Sequence, residues 1–182
     1  MPKEIIAMIF SVLGMLVNMV SFQIKDKKPI LILQSIGNIL FLISFVFNGS
    51  GIAIMLNIIY LARNAIYMFT DGKSDEKKDR IYCIALCGAF IMTYFVYILV
   101  AGNSLTENLW DFAPVAASIF GTIATANTDV NKYRMWKLGD SFCWLFFNAR
   151  FGVGALGGIV GEVFNQASLV IGILRYRKKK EE

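Results

Sequence analysis

The sequence has no histidine and only three cysteines. Without histidine the commonest general base and the usual nucleophile triads are missing. Cys83 and Cys87 lie one helical turn apart in an apolar block, and Cys143 lies in another. With no histidine and no clustered acids beside them, their spacing makes no metal site, and they read as small residues in helix packing. The residue set points to no catalytic group, no metal and no cofactor, and to a protein that is not an enzyme. Charge is also scarce, at 17% of 182 residues. No small-x-small cleavage site closes the first apolar run, which is therefore expected to be retained as a span.

What is abundant is apolar sequence. Hydrophobic residues make up 57% of the chain and the mean hydropathy is +0.59, whereas soluble domains are nearer half apolar. The excess comes in blocks of about 20 residues, each long enough to cross about 30 Å of hydrocarbon as a helix. The net charge of +5 does not mark a nucleic-acid face, because the bases sit in the gaps between apolar blocks, as in cytoplasmic membrane loops.

Seven spans are expected: residues 4–24, 30–47, 52–70, 81–101, 109–127, 133–151 and 153–176. The gaps on one side carry Lys25, Lys27 and Lys28, then Lys73, Lys77, Lys78 and Arg80, then Lys132, Arg134 and Lys137, and finally Arg175, Arg177 and Lys178–Lys180. The other side carries Lys3 and Arg150. Fifteen bases against two predict an outside N-terminus and a cytoplasmic C-terminus. Trp110, Trp136, Tyr133 and Tyr176 are placed as interfacial anchors. The mixed-sign stretch Asp71–Arg80 reads as a solvated connector, and the basic tail as a topology signal touching anionic lipid.

An isolated fourth span suggests two parallel repeats around a linker. Gly37-Asn38 can be laid on Gly139-Asp140, and the turn at Asn48–Gly51 on that at Arg150–Gly154. The expected fold is an all-α integral membrane protein of 3+1+3 plan. Residues 1–80 would hold the first repeat, 81–108 the linker helix and outer loop, and 109–182 the second repeat with its basic tail.

Polar residues inside spans are costly and need a reason. Helix rise places Asn38 and Glu162 about 14 Å from the outer end of their spans, Arg63 about 16 Å and Asp140 about 17 Å. All four thus fall near mid-membrane. Asn57 and Asn64 flank Arg63, Asn165 and Gln166 follow Glu162, and Asn18 and Thr125 extend the polar set. One reading is a cavity lined by spans 2, 3, 6 and 7, with Arg63 paired to Glu162 or Asp140. In it Glu162, Asp140, Arg63, Asn38, Asn57 and Asn165 would contact a small-molecule substrate that the sequence does not name. Two acids against one base would suit a cation or a proton-coupled carboxyl. The other reading is a non-transporting scaffold whose polar residues only hold helices together. Gly154 with Gly158 and Gly157 with Gly161 form small faces for close packing. Pro114 either kinks the fifth span or opens it. The run Trp144, Phe146, Phe147 reads as packing or lipid-facing surface. The expected partners are membrane lipid and a small solute, with self-association into a homo-oligomer left open.

The stretch from Ala113 to Arg177 resembles bacterial inner-membrane proteins of the YgjV type. The likeness lies in Pro114-Val115, Cys143-Trp144 with Asn148, Gly157-Gly158 with Glu162, and the exit Arg175-Tyr176-Arg177. The first half is similar more loosely, through Gln34 to Asn57 and Arg63-Asn64. Relatives can carry a histidine toward the outer end of the second span, where this chain has Ser44. The family looks distantly similar to the small sugar, nicotinamide-nucleoside and PQ-loop transporters, which share three-helix repeats joined by a linker. That resemblance implies the 3+1+3 topology, transport and a multi-pass place in the bacterial inner membrane, without naming a ligand.

Overall fold

The computed structural model describes residues 2–70, 76–102, 104–150 and 156–178. Asp71–Asp75, Gly154 and Lys179–Lys180, which carry parts of the connector, glycine and tail readings, lie outside the described residues. So do the side chains of Tyr176, Arg177 and Lys178. The described chain is all-helical: α1 (Lys3–Phe22), α2 (Lys27–Asn48), α3 (Gly51–Thr70), α4 (Glu76–Ala101), α5 (Leu105–Ala126), α6 (Val130–Ala149) and α7 (Leu156–Lys178). Among the described residues, α1 to α5 are long and apolar enough to cross a membrane. α6 and α7 are of similar length but carry Lys132, Arg134, Lys137, Asp140 and Glu162.

Local chemistry fixes the helix ends. Ser104 and Glu107 form a capping box that starts α5 four residues before Leu109, by satisfying amides that have no partner within the helix. Asp129 accepts from the amides of Asn131 and Lys132 and so starts α6 at Val130. α2 ends on Gly49 at φ 70°, a left-handed conformation that favours glycine. There the Ser50 amide donates to the Phe45 carbonyl at 3.1 Å, which turns the chain straight into α3.

Three expectations are corrected here. Pro114 does not open α5, because the capping box has already started the helix upstream. Pro114 lies inside it and has no N–H to give to the carbonyl of Trp110. The connector is shorter than expected, because Glu76–Arg80 begin α4, although Lys77, Lys78 and Arg80 are exposed as expected. The early start of α6 also turns Tyr133 and Arg134 into the bundle, both only 1% exposed, so Tyr133 is no interfacial anchor and Arg134 no loop base.

Six helices close a ring in the order α1, α2, α3, α5, α6, α7 and back to α1, and α4 packs outside it against α3 and α5. Only 6% of the α4 span is buried, against 56% for α5, which makes α4 peripheral. Its inward residues Leu86 and Phe90 reach two apolar clusters, the latter built on Ile52, Leu56, Tyr60, Val115 and Phe147.

The polarity of the bundle is inverted relative to a water-soluble domain. Large apolar side chains lie exposed on all seven helices, among them Leu16, Ile36, Ile58, Leu99, Leu109, Phe142 and Ile171. Buried instead are Gln34, Asn57, Arg63, Asn64, Arg134, Asp140 and Asn165. An apolar exterior of this extent needs lipid or another apolar cover, and helices satisfy their own backbone within it.

Close helix approach rests on glycine. A Cβ on Gly14 would stand 3.1 Å from the Gly37 carbonyl and 3.1 Å from the Phe41 ring. Gly14→Leu is therefore expected to destabilise the α1–α2 contact by about 1–3 kcal/mol. Gly88→Leu, on a position with nothing within 4 Å, should leave the melting temperature in detergent unchanged. Equal melting of the two variants would refute the close contact.

Candidate functional site

A cavity of about 60 Å³ lies inside the ring, lined from α1, α2, α3, α6 and α7. It has room for a few waters or one small solute. The six residues singled out from the sequence all line it: Asn38 on α2, Asn57 and Arg63 on α3, Asp140 on α6, and Glu162 and Asn165 on α7. Asn18 and Phe22 of α1 also reach it, so its wall extends beyond the four spans expected. Asn64, Thr125 and Gln166 are not part of the lining. Thr125 donates to the Gly121 carbonyl within its own helix at 2.7 Å.

The expected pairing of Arg63 with an acid does not occur among the described residues. Asp140 pairs with Lys137, three residues earlier on the same face of α6, so the nearer cation takes the carboxylate. The Tyr60 hydroxyl donates to the other Asp140 oxygen at 3.3 Å. Arg63 instead donates through Nε and Nη2 to Asn64 Oδ1 at 3.3 and 3.0 Å. Its guanidinium lies 4.3 Å from the Tyr60 ring centre, a cation–π contact. Asn64 is held in turn by donating to Ser35 Oγ at 3.3 Å. Arg63 Nη1 has no partner.

Glu162 accepts from Ser141 Oγ at 2.5 Å. Asn57 donates to the Ala53 carbonyl at 2.9 Å, and Asn165 Oδ1 has no partner. Glycines shape the walls: a Cβ on Gly121 would stand 2.9 Å from both Arg63 Nη1 and Asp140 Oδ2, and one on Gly158 3.0 Å from the Asn148 side chain. Gly161 packs on Met15 of α1, so two of the α7 glycines serve close packing.

One side of the cavity is aromatic. Phe45 and Trp144 stack with ring centres 5.7 Å apart, and Tyr60 lies 6.5 Å from Trp144. Trp144 is thus a cavity residue, while Phe147 is in the core and Phe146 is half exposed. One helical run serves three environments because successive residues point about 100° apart.

Sequence reasoning missed Lys137, Tyr60 and Asn148 as lining residues. Spacing was the available signal. Tyr60 lies midway between Asn57 and Arg63 at steps of three, and Lys137, Ser141, Trp144 and Asn148 follow one α6 face at steps of four, three and four. Among the described residues no three cysteine or carboxylate side chains converge on a point.

An all-helical bundle with an apolar exterior, five long apolar spans and a charged cavity at its centre is an integral membrane protein. The chain matches the Imp-YgjV family, described as bacterial inner membrane protein, over residues 5–180, and it belongs to that family. No curated protein and no solved structure matches it significantly.

Proposed function

We propose that this protein is a transporter of a small polar solute, with the central cavity as its binding site. The observation that carries this reading is the cavity itself. Charged and amide side chains from five helices meet there, and Asn18 Oδ1, Arg63 Nη1 and Asn165 Oδ1 find no partner among the described residues. A scaffold would gain more from mutual pairing or from apolar packing.

In this reading all seven helices cross the membrane, with the N-terminus outside. α6 and α7 count as spans because they too turn apolar faces outward, through Met135, Phe142 and Phe146 and through Val163, Val170 and Leu174. The ring order favours two parallel three-helix repeats with α4 as linker. Exchanging α1 with α5, α2 with α6 and α3 with α7 maps each helix's ring neighbours onto ring neighbours. The glycines matched between the repeats also behave alike. Gly37 meets α1 at Asn18 and Gly14, and Gly139 meets α5 at Phe120. The likeness to the three-helix-repeat transporters belongs to this proposal.

The test is uptake by proteoliposomes holding the purified protein, screened with labelled amino acids, nucleosides, monosaccharides and small carboxylates. Saturable uptake of one class is expected, falling at least tenfold in the folded fraction of Asp140→Asn. If no class moves, and Asp140→Asn and Glu162→Gln only lower folded yield, the scaffold reading replaces this one.

A further inference from the structure

The cavity's unmatched groups narrow the solute, an inference that rests on the transport reading. Four charged side chains line the space, and two of them, Lys137 and Asp140, neutralise each other. The remaining two are Arg63 and Glu162, of opposite charge, neither with an ion-pair partner among the described residues. Each stands in its own setting. Arg63 is fixed by Asn64 and the Tyr60 ring, and Glu162 by Ser141.

Three further atoms in the lining side chains carry unmet demands: Asn18 Oδ1, Arg63 Nη1 and Asn165 Oδ1 have no hydrogen-bond partner among the described residues. Arg63 is 1% exposed, and its Nη1, a donor, has no partner. Asn165 is 4% exposed, and its Oδ1, an acceptor, has none. A buried polar atom left without a partner costs free energy. Donor demand is on α3, and acceptor demand on α1 and α7. A simple anion would satisfy Arg63 and leave Glu162 and Asn165 Oδ1 unmet, and a simple cation would do the reverse. A neutral polyol would leave two full charges in a low-dielectric site.

We infer that the cavity takes a small zwitterion, with its anionic group at Arg63 and its cationic nitrogen at Glu162 and Asn165. Part of the aromatic wall adjoins the cationic end, while its Tyr60 ring lies against Arg63. Ser141, which donates to Glu162, lies one turn from Trp144 on α6, and Trp144 stacks on Phe45. Ring faces attract cations, quaternary nitrogens included. The cavity's size holds the solute to a few heavy atoms beyond its two charged groups.

The experiment uses the full chain in proteoliposomes and six probes: glycine, L-alanine, glycine betaine, propionate, propylamine and glycerol. Uptake of a labelled zwitterion is expected above that of empty liposomes. Unlabelled propionate and propylamine should compete at least tenfold more weakly than the zwitterion itself. A preference for alanine shows a nitrogen donating to Glu162, and a preference for betaine shows one held by ring faces; both support the assignment. Glu162→Gln should raise the zwitterion's half-saturation at least tenfold while inhibition by propionate stays within twofold. A measurement on the unmutated protein covers the case in which that variant misfolds. Millimolar zwitterion should raise the melting temperature in detergent, and equal propionate should not.

Competition by propionate or propylamine as strong as by the zwitterion overturns the assignment, as does uptake of glycerol alone, and in both cases transport itself stands. If none of the six moves, the assignment fails. The transport reading then fails only if the wider solute panel is also inert.

Discussion

Asp140→Ala is expected to destabilise the folded protein by about 3–5 kcal/mol, the cost of removing one partner from a buried ion pair. Asp140 is 3% exposed and carries the Lys137 ammonium and the Tyr60 hydroxyl. Without it, Lys137 and Arg63 remain as two cations around one cavity with no facing carboxylate except Glu162. Asp140→Asn should cost less, since the amide still accepts from Tyr60 and fills the same volume. The double variant Lys137→Ala with Asp140→Ala should regain much of the loss, because the stranded charge is gone. Thermal unfolding in detergent reads all three. Melting of Asp140→Ala within a degree of the parent would show that the pair is not desolvated. Uptake separates stability from binding: the double variant should fold and still fail to transport.

The second large effect is expected at Arg134, which does not line the cavity. Its side chain donates from Nε to the Phe22 carbonyl at 3.2 Å, from Nη2 to Ile24 at 2.8 Å, and from Nη1 to Asn131 at 3.2 Å. Phe22 and Ile24 are at the C-terminal end of α1, where carbonyls lack helical donors and a cation is favoured by the helix dipole. The site is a joint between α1, α6 and α7. Gln23 donates to the Ser168 carbonyl and hydroxyl at 3.0 and 2.7 Å. A Cβ on Gly172 would stand 2.9 Å from Arg134 Nε and 3.0 Å from the Phe22 carbonyl. Arg134→Ala leaves two carbonyls short of a charged donor, at a cost of about 3 kcal/mol or more. Arg134→Lys should not rescue it, since one ammonium cannot reproduce a planar fork reaching two carbonyls. Faster tryptic cleavage at Lys25–Lys28, with half-saturation for the solute unchanged in the folded fraction, is the expected pattern. A raised half-saturation with unchanged cleavage would place Arg134 in binding instead.

Arg134 and Lys137 also show that the count of bases rested partly on residues the bundle takes inward. Both were counted with the segment around the loop before α6, although the span expected at 133–151 already held them. The Asp129 cap starts the helix at Val130 and carries both inward. The bias of bases survives their loss, because the link after α1 and the stretch from Lys77 to Arg80 remain basic. Pro114 had two readings, and the structure decides between them. Proline is at home in a first helical turn, but the Ser104–Glu107 box had already begun the helix.

Seven helices and the position of each polar residue along them were legible because both are one-dimensional. A block of about 20 apolar residues fits the hydrocarbon, and helix rise turns residue number into depth at about 1.5 Å per step. That is how Asn38, Arg63, Asp140 and Glu162 could be put on one level, and the fold brings all four to one cavity. Choice of partner was not legible. Whether Asp140 meets Arg63 or Lys137, and whether Trp144 faces lipid or the cavity, depends on rotation about each helix axis and on which helices close the ring. Those follow from packing between segments distant in sequence, such as Gly172 against Arg134 and Gly121 against Arg63. The sequence by itself determined a membrane bundle with charge at its middle. Only the tertiary structure decided that Lys137 takes Asp140, leaving Arg63 and Glu162 without ionic partners among the described residues.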